Sequence, residues 1–314
     1  MILIKMATNT TITTTYAGEK LQGFISAALL SANTIENGGV SVKPNVKFKA
    51  VIKSLATGTL IADDTCDFTD SSSVTLDERI LEPETFQVNL QLCKDDFRSD
   101  WDAISMGYSA FDSLPPSFAD YLVAHVAAKV AEEMESTIWG GTNATAGQFD
   151  GFTTLFAADG DVIDVTGTAI TASNVIEEMG KVVDAIPSAI YGKEDLKLYV
   201  SKNVMKAYVR ALGGFSVAAP SNAGTDNKGT QWYDNGALSF DGISIFMANG
   251  LADNKMVAAQ TSNLYFGTGV LSDLNQVKVL DMADLDGSQN VRVIARFTAG
   301  IQYGFGGEIV YYTA

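Results

Sequence analysis

Two stretches in the first third of the chain alternate between apolar and polar residues, the pattern of a strand buried on one face. In the stretch 80–97 the apolar face consists of Phe86, Val88, Leu90 and Leu92. In the stretch 45–56 it consists of Val46, Phe48, Ala50 and Ile52. A polar run, 57–73, separates the two stretches. We therefore predict one long two-stranded ribbon over residues 45–93.

The predicted ribbon raises the question of what covers its apolar face, because an isolated pair of strands is marginally stable in water. Its polar face carries three lysines, Lys47, Lys49 and Lys53. These lysines either protect a sheet edge from unwanted pairing or meet acidic groups on another copy of this acidic chain. The run between the strands contains Asp63, Asp64, Asp67 and Asp70. We interpret that run as a solvated tip, with cation binding as the alternative.

A long helix is predicted over residues 114–141. Two prolines open it, Ser117 and Asp120 resemble a capping box, and two glycines close it. One apolar row runs along it at i, i+4 spacing: Phe118, Leu122, Val126, Val130, Met134 and Ile138. At 1.5 Å per residue, about 23 helical residues would measure roughly 34 Å.

The remaining chain mixes helices and strands without a regular alternation. Helices are expected at 171–187 and 201–212, the first with Val175, Met179, Val182 and Val183 inward. A strand is expected just before the second helix, from residue 196, and several more between residues 240 and 312. This order is typical of an α+β fold with a largely antiparallel sheet.

Composition and charge exclude several classes of protein. The 314 residues are 46% hydrophobic and 18% charged, which is typical of a globular chain with a core. The formal net charge of −16 argues against a dedicated nucleic-acid binder and against attraction to anionic lipid. No apolar run reaches the length of a membrane span. The two cysteines, Cys66 and Cys93, suggest reduced thiols rather than a disulfide framework.

The sequence contains little that points to catalysis. Its one histidine, His125, lies in the middle of the predicted long helix, where we expect a packing or hydrogen-bonding role. The stretch 282–293 resembles a calcium loop, but it lacks the final bidentate acid and is expected to be a polar loop. A hydrolase using two carboxylates is the enzymatic alternative, although no spacing singles out a pair. We predict a protein that is not an enzyme, with no catalytic, cofactor-binding or metal-binding residues.

The order of these elements resembles a known family. The stretches that carry the resemblance are "YAGEKLQGFISAALL" (16–30), "ILEPETFQVNLQLCKDDFRSDW" (80–101) and "LPPSFADYLVAHVAAKVAEEMESTIW" (114–139). A Gly-rich loop, 141–151, and a final strand set, 291–312, complete the order. The chain resembles the major capsid proteins of tailed bacteriophages, which have the Hong Kong 97 fold. It looks most like those of phages that infect Bacteroidetes, including crAss-like phages.

The resemblance implies a division of the chain and a role. It implies an N-terminal arm (1–44), an extended loop (45–93), a peripheral domain with a spine helix (94–165 and 291–314) and an axial domain (166–290). The protein would assemble as hexamers and pentamers into an icosahedral shell around double-stranded DNA that it does not bind specifically. Portal, scaffold and decoration proteins would be its partners, and assembly would occur in the bacterial host cytoplasm, away from membranes.

In this family the extended loop lies across a neighbouring subunit. The resemblance therefore implies that the apolar face of the ribbon is covered by another copy of the chain. The subunit-contact candidates are Lys47, Lys49, Lys53, Phe86, Val88, Leu90 and Leu92. An encapsulin, a cellular nanocompartment with the same fold, is the alternative within this fold.

Overall fold

A computed structural model describes residues 33–61, 63–64, 66, 72–93, 116–212, 238–269, 278–282 and 290–314. Most of the predicted arm and the calcium-like loop lie outside the described residues. The helices are α1 (Asn33–Glu36), α2 (Pro116–Gly140), α3 (Phe152–Ala158), α4 (Val175–Asp184) and α5 (Lys202–Leu212). The first strands are β1 (Ser41–Lys43), β2 (Ala50–Thr57), β3 (Val74–Leu81), β4 (Glu84–Cys93), β5 (Ile163–Thr166) and β6 (Leu196–Val200). The later strands are β7 (Ser239–Phe240), β8 (Ile243–Met247), β9 (Lys255–Gln260), β10 (Leu264–Thr268), β11 (Lys278–Asp281), β12 (Asn290–Tyr303) and β13 (Val310–Thr313).

The described strands form three sheets. A five-stranded sheet has the order β1-β10-β12-β11, with β4 on the other side of β12. A six-stranded sheet has the order β5-β13-β9-β6-β8-β7, and β2 pairs with β3 alone. Most of the pairings are antiparallel, and the parallel ones are β1 with β10, β5 with β13, and β6 with β8. The predicted α+β class with a largely antiparallel sheet is confirmed.

The long helix α2 packs its C-terminal half into the first of two main cores. Ile138 and Trp139 are fully buried there, and Val126 and Val130 pack against the same core while partly exposed. The helix ends at Gly140 because the chain turns sharply after it. A Cβ on Gly141 would lie 2.4 Å from the Phe149 carbonyl oxygen, so only glycine fits there. The predicted helix and its i, i+4 row are confirmed over residues 126–138, and the side chain of His125 lies outside the described residues.

The second core lies between the six-stranded sheet and two helices. The four residues predicted to face inward on α4 are buried: Val175, Met179, Val182 and Val183. They join apolar side chains of α5, β6, β9 and β13. Amphipathic spacing therefore identified the inner face of this helix correctly.

The described end of the predicted arm is bound firmly to the long helix. The backbone N–H of Thr34 donates to the Glu135 carboxylate at 2.9 Å, and its hydroxyl donates at 2.6 Å. The indole N–H of Trp139 donates to the same hydroxyl at 2.7 Å. Because all three side chains are buried, these bonds satisfy polar groups that would otherwise be costly.

The predicted ribbon is wrong in its pairing. Strand β2 pairs with β3, so that Ala50 lies opposite Leu81, whereas β4 pairs along its whole length with β12. The break falls at Pro83, which has no N–H to donate to a ladder. Gly300 lets the chain pass closely here, since a Cβ on it would lie 2.9 Å from the Glu82 carbonyl oxygen.

The predicted domain boundaries remain a prediction, but two strands cross them. Strand β10 lies in the predicted axial domain, yet it pairs with β12 of the predicted peripheral domain. Strand β13 lies in the predicted peripheral domain, yet it pairs with β9 of the predicted axial domain. Neighbouring stretches of the chain thus contribute to both sheets. A division of the chain into consecutive domains does not describe this arrangement.

Candidate functional site

The far part of the β2–β3 hairpin is exposed within the described chain. Its base is held by a small apolar cluster, since Leu81 is fully buried and Ile52 is 7% exposed beside Val46. Farther along, residues 74–78 of β3 are exposed on both faces. Among the described residues, nothing packs over the far part of this hairpin.

One face of the hairpin carries exposed aliphatic side chains. We call this surface the outer face and define it by Val51, Leu55, Leu76 and Ile80. Val51 lies directly opposite Ile80, and Leu55 lies opposite Leu76. The four are 48 to 65% exposed. Directly opposed side chains on one face are neighbours in a sheet, so each pair forms an apolar patch. The Lys53–Glu78 ion pair lies between the two patches on the same face.

The connections next to the hairpin strands carry further exposed apolar side chains. Phe48 is 75% exposed, and Ile61 is 90% exposed. Several large apolar side chains exposed on one element of a single chain are typical of a contact with another protein. The prediction that Phe48 belongs to the buried side of the ribbon is wrong, because residues 44–49 precede the strand instead of forming part of it.

Three of the predicted contact residues pack within their own chain. Phe86, Val88 and Leu90 are half-buried and pack against the first core. The ring of Phe86 lies 5.7 Å from that of Phe297 and 6.0 Å from that of Phe149. Part of their apolar surface is therefore covered within the chain, and their contact with another subunit remains a prediction. Leu92 pairs with Val291 through its backbone, and its side chain lies outside the described residues.

Two of the three lysines have acidic partners on the same chain. The amine of Lys49 lies 2.9 Å from the Glu82 carboxylate, and that of Lys53 lies 3.7 Å from the Glu78 carboxylate. Lys47 is exposed. Exposed pairs of this kind contribute little to stability. Pairing of these lysines with another copy remains a prediction, but two of them do not require it.

A cluster at the base joins the hairpin to the body of the chain. The Arg79 guanidinium lies 2.6 Å from a carboxylate oxygen of Asp159, and its centre lies 4.3 Å from the centroid of the Tyr303 ring. The Tyr303 hydroxyl donates to the same Asp159 oxygen at 2.5 Å. The three groups come from β3, the end of α3 and the end of β12, so one cluster ties three elements together.

The pKa values of this cluster reflect its contacts. Burial alone would raise the pKa of Asp159, but hydrogen bonds from Tyr303, the Asp161 N–H and Arg79 outweigh burial and lower it. Burial alone would lower the pKa of Arg79, but the bond to Asp159 and the nearby charge raise it. Burial and the Asp159 carboxylate both raise the pKa of Tyr303. At neutral pH the cluster therefore contains an ionised pair and a neutral tyrosine.

Buried carboxylates of the described chain serve structural contacts. Glu178 accepts hydrogen bonds from Lys181, Tyr312 and Thr168, and Glu135 accepts two from Thr34. Over the described residues, no group of three or more histidine, cysteine or acidic side chains is placed to hold a metal ion. Helices long and apolar enough to cross a membrane are likewise not found within the described ranges.

The outer face was missed by the sequence reasoning, although the signal was present. Residues 74–81, "VTLDERIL", alternate Val74, Leu76 and Ile80 with Thr75, Asp77 and Arg79. The alternation identifies a strand, whereas the sequence analysis places no strand between the polar run, 57–73, and the stretch 80–97. The side of β2 that carries the lysines also carries Val51 and Leu55. Interpreting that side as polar therefore overlooked its apolar residues.

Comparison with known proteins gives similarity in structure alone. No family model and no curated protein matches the chain. A chain in the satellite phage P4 procapsid, solved with the size determination (Sid) protein, has a TM-score of 0.56 at 9% identity. The match covers 93% of this chain and 98% of that one. A chain in the capsid of the empty GTA particle has a TM-score of 0.58 at 13% identity, covering 90% and 91%.

A third similar structure comes from an archaeon. A chain of the virus-like particle from Pyrococcus furiosus has a TM-score of 0.52 at 10% identity, and the match covers 93% of this chain and 97% of that one. At such identities the likeness establishes the fold. The predicted Hong Kong 97-type capsid fold of class α+β is confirmed.

Proposed function

We propose that this chain is a structural shell protein whose copies associate into a closed icosahedral capsid. The observation that carries the proposal is the agreement in fold over at least 90% of this chain and at least 91% of the capsid chains from phage P4 and the GTA particle. Most of the length of those chains is matched, so the likeness is not confined to one motif. The exposed outer face of the hairpin gives each copy a surface for a neighbour.

The hairpin is the intersubunit contact in this proposal. Burying the still-exposed part of Val51, Leu55, Leu76 and Ile80 would stabilise a contact by about 1 kcal/mol for each side chain. A shell repeats the same contact in every copy, so a modest gain per hairpin is sufficient. The residues of the contact thus differ from those proposed from the sequence, while the hairpin remains the element that makes it.

The finer assignment rests on the sequence resemblance. We propose hexamers and pentamers of a tailed-phage capsid around double-stranded DNA, in a phage that infects Bacteroidetes, with assembly in the host cytoplasm. Portal, scaffold and decoration proteins would complete the particle. The net charge of −16 supports a shell that encloses DNA without binding it specifically, since it disfavours contact with phosphates. The proposed arm, extended loop, peripheral domain and axial domain follow from the same resemblance.

A cellular nanocompartment is the second candidate, because the virus-like particle from Pyrococcus furiosus has the same fold. The two candidates differ in what the shell contains. A virion contains a genome and a portal at one vertex, whereas a nanocompartment contains cargo protein. The carboxylate hydrolase is not supported by a specific feature of the described residues.

Electron microscopy of the purified protein tests the shell proposal. We expect hollow closed particles with a lattice of hexamers and pentamers. Nucleic acid and protein analysis of particles from the native source then separates the two candidates. A chain that stays monomeric under all assembly conditions, or that forms only open aggregates, would contradict the proposal.

A further inference from the structure

The direction in which the hairpin extends is set by very few polar contacts. Its apolar foot, Val46, Ile52 and Leu81, keeps the base attached. Beyond the foot, the side-chain hydrogen bonds between the hairpin and the body are those of Arg79 with Asp159 and of Gln302 with the Ile80 carbonyl, within the described residues. A single ionic cluster at the base can therefore determine the direction of the whole hairpin.

We propose that Arg79, Asp159 and Tyr303 form a clamp that positions the hairpin so that its outer face is presented to a neighbouring copy. This inference rests on the proposed shell function and specifies how its contact surface is positioned. Arg79 and the outer-face residue Ile80 are adjacent in β3, so they point to opposite faces of the sheet. Fixing the first on the body therefore aims the second away from it.

The geometry of the clamp restricts both distance and angle. The guanidinium is planar, and it contacts a carboxylate oxygen and an aromatic ring at the same time, at 2.6 Å and 4.3 Å. A lysine would keep the charge, but its ammonium lacks the planar group that both contacts use. Arg79 and Asp159 are 28% and 19% exposed, so solvent competes with their contact only in part.

Asp159, which accepts the Arg79 guanidinium, is itself held in place by several contacts. Asp159 caps the end of α3, and its second carboxylate oxygen accepts the N–H of Asp161 at 3.1 Å. Gly306 closes the space around it, since a Cβ there would lie 2.9 Å from the Asp159 carboxylate and 3.5 Å from the Arg79 guanidinium. The sequence keeps this position free of a side chain, which leaves room for the Arg79–Asp159 contact.

The experiment makes two separate measurements. One is the direction of the hairpin in the unassembled chain, and the other is the yield of closed shells. Cys66 and Cys93 are replaced by serine, and spin labels are attached at Thr57→Cys on the hairpin and Asp184→Cys on α4. Electron–electron double resonance gives the distribution of the distance between the labels. We expect a narrow distribution in the unchanged clamp and broad ones in Arg79→Met, Arg79→Lys and Asp159→Asn, with closed shells reduced about tenfold.

Two comparisons separate a positioning role from a merely structural one. The charge-exchanged variant Arg79→Asp/Asp159→Arg should restore part of the narrow distribution and of the shell yield. Lys129→Met removes an ion pair of the same 2.6 Å length on the long helix and should leave the hairpin distance unchanged. Thermal melting of each variant shows whether the chain is folded. If Arg79→Met does not fold, Asp159→Asn tests the clamp in its place.

Each outcome of these measurements either supports or contradicts the clamp. A narrow, unshifted distribution in folded Arg79→Met and Asp159→Asn would overturn the clamp, and so would a broad distribution accompanied by normal shell yield. If the unchanged chain forms no shells, the proposed function fails, while the distance measurement still reports whether the clamp sets the hairpin direction.

Discussion

Four aliphatic side chains on the hairpin determine which of its surfaces can bind another protein. They alternate with residues that hold the hairpin to the body, so the parity of a residue in β2 or β3 decides its role. We predict that Leu55→Lys leaves the stability of the single chain within about 0.5 kcal/mol, since Leu55 is 57% exposed. Shell yield should fall at least about tenfold, because a charge would enter an apolar contact. Thermal melting and sedimentation measure the two effects.

Thr75→Lys is the matched control for this substitution. Thr75 lies on the same hairpin and is exposed, but it points to the opposite face. It should assemble normally. Equal losses from both variants would show that any added charge on the hairpin disrupts assembly, and the outer face would then have no special role.

Asp159 gives the hairpin clamp a defined pH range. Its pKa lies below the ordinary value, so its contribution to stability is present above that ordinary value, near 4, and is lost as the pH falls through the lowered value. The groups that face it are Arg79 on β3, Tyr303 on β12 and the N–H of Asp161. We predict that the melting-temperature difference between the unchanged chain and Asp159→Asn is constant from pH 5 to 8 and shrinks below about pH 4. A difference that disappears near pH 6 would assign the effect to another group.

At the scale of elements, the sequence predicted which face of a helix or strand is buried better than it predicted which strand pairs with which. The apolar rows of α2, α4 and β4 follow from spacing alone, and the structure buries or half-buries their described members. Which strand lies beside β4 does not follow from spacing, because alternation specifies a face and carries no information about the neighbouring edge. Pro83 was the available signal for separating β3 from β4. The clamp was not predictable, since Arg79, Asp159 and Tyr303 are far apart in the chain.

The hairpin can be shortened without disturbing its foot, and this gives a prediction at the same scale. Ser54 lies directly opposite Asp77, so a two-residue Gly-containing turn can replace residues 55–76. The foot residues Ile52 and Leu81 and the clamp residue Arg79 are retained. We expect a folded chain that melts cooperatively and forms no closed shells. Closed shells from the shortened chain would show that assembly does not need the hairpin, and an unfolded chain would show that the hairpin stabilises its own subunit.

At the scale of the whole molecule, the two sheets exchange strands across the chain. Strands β12 and β13 are neighbours in sequence, yet they belong to different sheets. The C-terminal segment therefore connects the two main cores. A prediction based on consecutive segments could not find this exchange, because strand pairing between distant segments leaves no local pattern.

The net charge of the whole chain predicts how salt affects assembly. Each copy carries a formal charge of −16, so like charges oppose the association of copies. Lys49 and Lys53 already have acidic partners on their own chain, and the outer face is largely aliphatic. Screening should therefore weaken repulsion more than attraction, since the Debye length falls from about 10 Å at 0.1 M salt to about 3 Å at 1 M. We predict that the concentration of chain needed for shells, measured by light scattering, decreases as sodium chloride is raised from 0.05 to 0.5 M. Shells that dissociate over the same range would instead show that ion pairs between copies hold them together.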